Sequence, residues 1–382
     1  GGGGGAPGEA EPSNHHPVWP RQTQPMLDRI LHHLETLVAF DTRNPPREIG
    51  RSMFDYLQQA LPGFRFQLSD FGDGAIALLA VRGSPKRVFN VHMDTVPDSP
   101  HWSADPHLLR VTADRAIGLG ACDIKGAAAC LITAAEQTQG DAAFLFTTDE
   151  EANDARCIAG FLAQGHAFVE AIVAEPTQAR AVLAHRGISS VLMKFKGTAG
   201  HASGAQAMEQ SALHQAIRFG GRALDFVQTQ AGESFGGLQG LRFNIGRVEG
   251  GIKANMIAPA AELRFGFRPL PSHSIDGLHD TFRSFAAADA LAHYEETFRG
   301  PSLPSGGDTA EKFARAEALV AELGLPVGPA VDFWTEASLF SAAGLTAIVY
   351  GPGDIAQAHT ADEWVALEQL EAVGRTYLRL FA

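Results

Sequence analysis

Two histidines and three carboxylates, spread over most of the 382-residue chain, have the chemistry to hold two metal ions. Each ends or follows an apolar run, or lies in a turn rich in Gly or Pro. Imidazole and carboxylate are ligands that suit zinc, cobalt and manganese. The set is large enough for two ions if one carboxylate bridges them, and it points to metal-assisted hydrolysis. The five residues are His92, Asp123, Glu151, Glu175 and His359.

Acidic residues beside these ligands indicate how a water molecule could be activated. Asp94 follows His92 by two residues, so on an extended strand it can accept a hydrogen bond from the imidazole nitrogen that binds no metal. The alternative for Asp94 is to cap a turn. Glu150 and Glu151 cannot both point the same way, so one can bind metal while the other serves as general base. A solvated acidic loop is the alternative for this pair.

Three residues farther along the chain could contact a substrate. His201 is flanked by small residues and could donate a hydrogen bond to the oxyanion of a tetrahedral intermediate. Arg268 and Asn255 could hold a substrate carboxylate, which an arginine binds bidentately. A lone histidine is more often structural, so a catalytic role for His201 depends on the residues around it. No GxSxG, HExxH or P-loop pattern occurs in the sequence.

Composition is that of a globular protein, with 45% hydrophobic and 19% charged residues. The net charge of −13 and the lack of a Lys/Arg cluster argue against nucleic acid or an anionic membrane as partner. No apolar stretch has the length of a membrane span. The odd cysteine count, without a CxxC motif, favours buried packing residues and a cytoplasmic location; the cysteines are Cys122, Cys130 and Cys157.

The order of helical and strand-like patterns predicts an α/β fold in which one domain interrupts another. Residues 1–25 have no hydrophobic period and no apolar signal region, so we expect a disordered N-terminal extension. Residues 26–180 and 295–382 are expected to form a discontinuous catalytic domain, with a mixed sheet flanked by helices. Residues 181–294 are predicted to be an inserted α+β domain of ferredoxin-like order that serves as a lid. Only such an interruption would return His359 to the other four ligands.

Several motifs, taken together, resemble the M20 family of metal-dependent amidohydrolases and peptidases. The resemblance runs from about residue 26 to the end and implies that Asp123 bridges two divalent ions, zinc or cobalt. It also implies that Glu150 is the base and that Asp94 orients His92. His92 and Glu175 would bind separate sides of the ion pair, with Glu151 and His359 completing them, and the 123–124 peptide would be cis. The motifs are HMDTVP at 92–97, GACDIKG at 120–126, TDEE at 148–151, EPT at 175–177 and GTAGHA at 197–202.

The resemblance also implies an activity. The segments 332–337 and 351–359 look like those of deacetylases that act on N-acetyl-L-amino acids in arginine biosynthesis. We therefore expect a small N-acyl amino acid as substrate, with citrulline as the product and ornithine as the alternative. The family often forms homodimers through the insert, so residues 181–294 are also the predicted dimerisation domain. A metal-free binding protein that kept the fold is the hypothesis from another class.

Overall fold

The computed structural model describes residues 25–381, and the described chain divides into two units. The first unit comprises residues 25–182, 315–328 and 335–381, and the second comprises residues 183–314 and 329–334. The first unit is therefore discontinuous in sequence. Of the expected disordered segment 1–25, all but Pro25 lies outside the described residues, and Pro25 begins the first helix.

Helices and strands are interspersed along the described chain. The helices are α1 (Pro25–Ala39), α2 (Arg51–Ala60), α3 (Gly126–Glu136), α4 (Cys157–Ala163), α5 (Ala207–Gln210), α6 (Ala212–Thr229), α7 (Ile275–Ser284), α8 (Thr309–Leu323), α9 (Ala337–Ala342) and α10 (Leu367–Phe381). The strands are β1 (Arg65–Asp70), β2 (Ile76–Arg82), β3 (Arg87–His92), β4 (Arg110–Val111), β5 (Arg115–Ile117), β6 (Ala142–Thr147), β7 (Glu170–Val173), β8 (Ile188–Lys196), β9 (Gly200–His201), β10 (Ser234–Phe235), β11 (Leu238–Gln239), β12 (Arg242–Gly250), β13 (Met256–Ile257), β14 (Ala260–Arg268), β15 (Leu291–Gly300), β16 (Thr346–Val349) and β17 (Trp364–Ala366).

A six-stranded mixed sheet organises the first unit, in the order β1-β2-β6-β3-β7-β16. The strands β6, β3, β7 and β16 run parallel, whereas β1 and β2 complete one side in antiparallel pairing. Every residue of β6 is buried, as is usual for a strand that helices cover on both faces. The parallel strands matter for function because their carboxyl ends lie along one edge of the sheet.

A four-stranded antiparallel sheet organises the second unit, in the order β12-β14-β8-β15. Its elements follow each other as strand, helix, strand, strand, helix, strand, the order expected from the hydrophobic patterns. Alternate residues of β8 and β14 are buried and join α6 and α7 in one apolar core. The other face of the sheet therefore carries the polar and charged side chains.

One expected boundary differs from that in the structure. The expected end of the insert at residue 294 falls inside β15, which pairs with β8 and so stays with the second unit. The last helix, α10, begins at Leu367. Residues 364–366 form β17 because they pair with β5. None of the helices within residues 25–381 has the length and apolar character that a membrane crossing requires.

The aromatic core of the second unit should dominate its stability. Phe282 is fully buried, and its ring lies 5.3 Å from those of Phe243, Phe265 and Phe267. A Phe282→Ala variant should lose about 3–5 kcal/mol of unfolding free energy, measured by urea denaturation, because a large cavity remains. The control Phe298→Ala, at a ring that is 37% exposed, should lose less than about 1 kcal/mol. Equal losses would contradict this assignment of the core.

Candidate metal centre

The five ligands predicted from the sequence lie together at the carboxyl edge of the first unit's sheet. His92 is the last residue of β3, and Glu151 and Glu175 follow the ends of β6 and β7. Asp123 lies in the turn 121–125 that leads into α3, and His359 lies in the loop before β17. Since β3, β6 and β7 are neighbouring parallel strands, residues that follow their carboxyl ends converge there.

The carboxylate of Asp123 lies between the two histidines. Its Oδ1 is 3.0 Å from Nε2 of His92, and its Oδ2 is 3.1 Å from Nε2 of His359. Glu175 Oε1 lies 2.8 Å from the same nitrogen of His92, and Glu151 Oε1 lies 3.3 Å from that of His359. One carboxylate oxygen therefore faces each imidazole, which is the arrangement that a bridging ligand needs.

One expectation about the distribution of the ligands is wrong. His92 and Glu175 were expected on separate sides of the ion pair, but the 2.8 Å between their donor atoms puts them on the same side. Glu151 and His359 form the opposite side. Two groups of three residues each have donor atoms that all lie within 4.8 Å of one another. One group is His92, Glu150 and Glu175, and the other is His92, Asp123 and Glu151.

The electrostatics of this cluster fit bound cations. Burial and the charge of Asp123 raise the pKa of Glu175 to about 7. Burial also raises the pKa of Glu150 well above its ordinary value, and Glu175 and Glu151 raise it further. Oε1 of Glu175 is buried, 2.8 Å from Nε2 of His92. The acids thus carry more negative charge than two imidazoles can balance, and divalent cations would relieve that repulsion.

Asp94 forms hydrogen bonds with the main chain of both glutamates that follow β6. Its fully buried carboxylate accepts hydrogen bonds from the amides of Glu150 (3.3 Å) and Glu151 (2.8 Å), and from Asn44 Nδ2 (3.0 Å). Nδ1 of His92 lies 2.9 Å from the carbonyl oxygen of Asp94 and 3.3 Å from its Oδ1. The contact expected from the sequence is therefore made mainly by the main chain, and the Asp94 side chain positions the neighbouring glutamates.

Glu363 holds the turn that carries Asp123 in place, a role that the sequence did not predict. Its buried carboxylate accepts hydrogen bonds from the amides of Gly120 (3.0 Å), Cys122 (3.0 Å) and Asp123 (2.9 Å). Burial and the nearby Asp123 charge raise the pKa of Glu363 to about 8. The only sequence signal was an acidic pair a few residues after His359, because a carboxylate that binds main-chain amides requires no particular partner residue.

The turn itself has an unusual main chain. The peptide bond between Asp123 and Ile124 is cis, which confirms the prediction made from the resemblance. Gly120, at the start of the turn, has a φ of +82°, and a Cβ there would lie 2.6 Å from Thr95 Cγ2. Glycine is the residue that fits both conditions. The three amides that bind Glu363 and the carboxylate of Asp123 thus belong to one tightly determined segment.

Two further buried acids lie near the donors. Asp149 Oδ2 accepts hydrogen bonds from the amides of Arg156 and Cys157, at the start of α4. Burial raises the pKa of Glu336 well above its ordinary value, and the charge of Asp149 raises it further. Within residues 25–381, neither Asp149 Oδ1 nor Glu336 Oε2 has a hydrogen-bond partner. These acids add to the negative charge that the site must compensate.

The second unit holds the residues expected to contact substrate. The exposed His201 lies in β9, with its Nδ1 2.7 Å from Ser203 Oγ. β9 pairs with β13, which begins directly after Asn255, and the carbonyl of Asn255 accepts a hydrogen bond from the amide that follows His201. Arg268 ends β14 in the four-stranded sheet. The fold therefore brings His201 and Asn255 together and puts Arg268 on a different sheet.

The sequence of this chain matches known proteins over most of its length. The model of peptidase family M20/M25/M40 matches residues 88–382. The N-acetyl-L-citrulline deacetylase of Xanthomonas campestris pv. campestris is 67% identical over 350 residues, which cover 91% of this chain and 95% of the relative. The acetylornithine deacetylase of Myxococcus xanthus is 30% identical, over 88% of this chain and 92% of the relative.

Solved structures share the fold at much lower identity. The aminopeptidase PepT of Bacillus cereus superposes with a TM-score of 0.70 at 17% identity, over 93% of this chain and 98% of that chain. A dinuclear metal binding peptidase of the M20 family from Bacillus subtilis superposes with a TM-score of 0.62 at 14% identity, over 94% and 98% of the two chains. At such identities the likeness shows the fold.

Replacing Glu363 should weaken metal binding without changing any of the five predicted ligands. In Glu363→Gln an amide NH₂ would face main-chain N–H donors, so the turn would shift the carboxylate of Asp123. We expect zinc affinity, measured by chelator competition on metal-depleted protein, to fall roughly 10- to 100-fold.

The matched control for this prediction is Glu170→Gln, another buried acid of the first unit. Glu170 pairs with Arg87 (3.0 Å) at the amino end of β7, away from the donors. This variant should lower stability and leave zinc affinity unchanged. If both variants weaken zinc binding equally, general destabilisation explains the effect and Glu363 has no special role.

Proposed function

The chain belongs to peptidase family M20/M25/M40, and on that premise we propose that it is a metal-dependent hydrolase that converts N-acetyl-L-citrulline to L-citrulline and acetate. The observation that carries the proposal is the 67% identity to an N-acetyl-L-citrulline deacetylase over 91% of the chain. Acetylornithine deacetylases match at 27–30% identity, so acetylornithine is the less supported substrate. The acid-rich site in the first unit supports the same chemistry.

The donor set suits a pair of divalent ions, with zinc or cobalt as the proposed metals. His92 and Glu175 would hold one, His359 and Glu151 would hold the other, and Asp123 would bridge them. When bound, such ions supply Lewis acidity and lower the pKa of water. Their proposed presence also accounts for the concentration of buried carboxylates, which imidazoles alone do not balance.

Glu150 is the proposed general base. Its Oε2 lies 3.7 Å from Nε2 of His92, beside the donor atoms. Asp94 accepts the Glu150 amide hydrogen and so keeps the base and its neighbour Glu151 at fixed positions. Burial raises the pKa of Glu150, which suits a carboxylate that takes a proton from water and then delivers it to the leaving nitrogen.

In the second unit, we propose that Arg268 and Asn255 bind the substrate carboxylate and that His201 donates a hydrogen bond to the oxyanion. We also propose that two copies associate through this unit, the predicted lid and dimerisation domain, and that His201 serves the partner's site. Exposed apolar side chains on α6 and β12 support such an interface. They are Ile217 (62% exposed), Leu224 (50%) and Val248 (44%).

A cytoplasmic location and a role in arginine biosynthesis stay predictions. The three cysteines are buried and unpaired, which supports a reducing compartment.

A substrate panel tests the proposed function. The metal-loaded protein should hydrolyse N-acetyl-L-citrulline with a kcat/KM on the order of a hundredfold above that for N-acetyl-L-ornithine, since the two side chains differ in charge and hydrogen bonding. Succinyl-diaminopimelate and a dipeptide complete the panel, and acetate release is the measurement. A preference for acetylornithine would overturn the substrate assignment. A protein that binds the compounds but turns over none of them would be the binding protein considered above.

The general base can be separated from its neighbouring ligand by two isosteric variants. Glu150→Gln should keep its metal content and lose roughly 10²- to 10⁴-fold in kcat, because it cannot accept a proton. Glu151→Gln should instead lose metal, as judged by elemental analysis after gel filtration. Full activity in the Glu150 variant, or normal metal content in the Glu151 variant, would show that the two roles are wrongly assigned.

A further inference from the structure

Two pairs of arginines face each other across strands β12 and β14, on the open face of the second unit's sheet. Arg242 is the direct register partner of Arg268, and Arg247 is that of Arg264. Like charges directly opposite each other destabilise a sheet. An anion nearby relieves such repulsion, and the two pairs differ in whether the protein supplies one.

The protein neutralises the pair formed by Arg247 and Arg264. Arg247 Nη2 lies 2.6 Å from Glu249 Oε2, and Arg264 Nε lies 3.2 Å from Glu262 Oε1. Each glutamate is two residues away on the same strand, so it projects from the same face as its arginine. This pair is thus a balanced cluster of two cations and two anions.

The protein does not neutralise the pair formed by Arg242 and Arg268. The equivalent positions, two residues along each strand, hold Asn244 and Gly266, which are register partners and carry no charge. Among residues 183–314 and 329–334, no acidic side chain pairs with either guanidinium. A third guanidinium, that of Arg186, lies close by: it lines the same cavity as Arg242 and Arg268, and its Nη1 donates a hydrogen bond to the carbonyl of Arg268.

These arginines line a cavity of about 480 Å³ within the second unit, together with Asp332 and Phe333. Asp332 lies 3.4 Å from Arg186 Nε and balances that charge. Arg186 is further occupied, since it donates hydrogen bonds to the carbonyls of residues 239, 240 and 268. Arg242 and Arg268 are therefore the two guanidiniums that remain available to a ligand, and a carboxylate is the anion that their donor geometry suits.

We infer that Arg242 determines substrate specificity: together with Arg268 it binds the substrate carboxylate, and it disfavours substrates with a cationic side chain. This inference rests on the proposed function, in which Arg268 contacts that carboxylate. One carboxylate balances one of the two guanidiniums, so one positive charge remains. The ammonium of ornithine is joined to the α-carbon by a short methylene chain. It therefore stays within a Debye length, about 8 Å, of that remaining positive charge. The neutral ureido group of citrulline meets no such repulsion.

Two variants of Arg242 and one control separate binding from repulsion. Arg242→Gln should raise the KM for N-acetyl-L-citrulline about tenfold, the effect of losing one hydrogen bond to a charged group, with kcat nearly unchanged. It should also lower the preference for acetylcitrulline over acetylornithine about tenfold. Arg242→Lys keeps the charge and should retain most of the preference. The control Arg247→Gln, on the same strand in the neutralised pair, should change neither value.

A carboxamide analogue, N-acetyl-L-citrulline amide, completes the experiment. It has no carboxylate, so Arg242→Gln should leave its turnover unchanged, and thermal unfolding should show that each variant folds as the wild type does. An unchanged substrate preference in Arg242→Gln, or an equal loss with the amide, would overturn the inference. If the wild type hydrolyses a different N-acyl amino acid, the proposed function fails. In that case the role of Arg242 is decided by the same comparison of wild type with Arg242→Gln, made on a neutral and a cationic N-acyl amino acid that the enzyme does accept.

Discussion

One carboxylate shared by two imidazoles is the constraint on which the first unit depends. Asp123 faces His92 with one oxygen and His359 with the other, at 3.0 and 3.1 Å, although most of the chain separates those histidines. Glu175 and Glu151 flank the two sides. Buried negative charge at this density is unfavourable unless cations or protons compensate it. The fold therefore has to hold acids together against their own repulsion, which is the property that makes the cluster suitable for metal ions.

Main-chain amides provide the force that holds these acids in place. Glu363 accepts three amide hydrogens from the turn of Asp123, and Asp94 accepts two from the glutamates after β6. Each N–H group that a carboxylate accepts favours its anionic form and offsets part of the effect of burial, which raises the pKa of Glu363. Main-chain donors also cannot swing away as side chains can. Residues outside the proposed ligand set thus determine where the proposed ligand atoms lie, as expected for supporting groups around a metal site.

The two units use charge in opposite ways. The first concentrates buried acids, whereas the open sheet face of the second carries arginines in cross-strand register. One arginine pair has glutamates two residues away, and the other has Asn244 and Gly266 at those positions. The contrast is informative because both pairs lie on the same two strands, on either side of a register irregularity between Ile245 and Arg247. A difference in neutralisation therefore reflects the side chains at those positions, and both arginines of the unbalanced pair line the cavity that also holds Arg186.

The amino-acid sequence by itself determined the kinds of atoms available and the order of the elements. The donors at 92, 123, 151, 175 and 359, the adjacent acids, and the strand and helix order are local features, so residue type and hydrophobic period were enough to find them. Only the tertiary structure decided that His92 and Glu175 lie on the same side of the donor cluster, that Glu363 binds the amides of the turn that carries Asp123, and that Arg242 faces Arg268. Each of these depends on distances between residues far apart in the chain or on hydrogen bonds to main-chain amides. Every residue except proline has the same main-chain N–H group, so the sequence of a segment does not show which of its amides make such bonds.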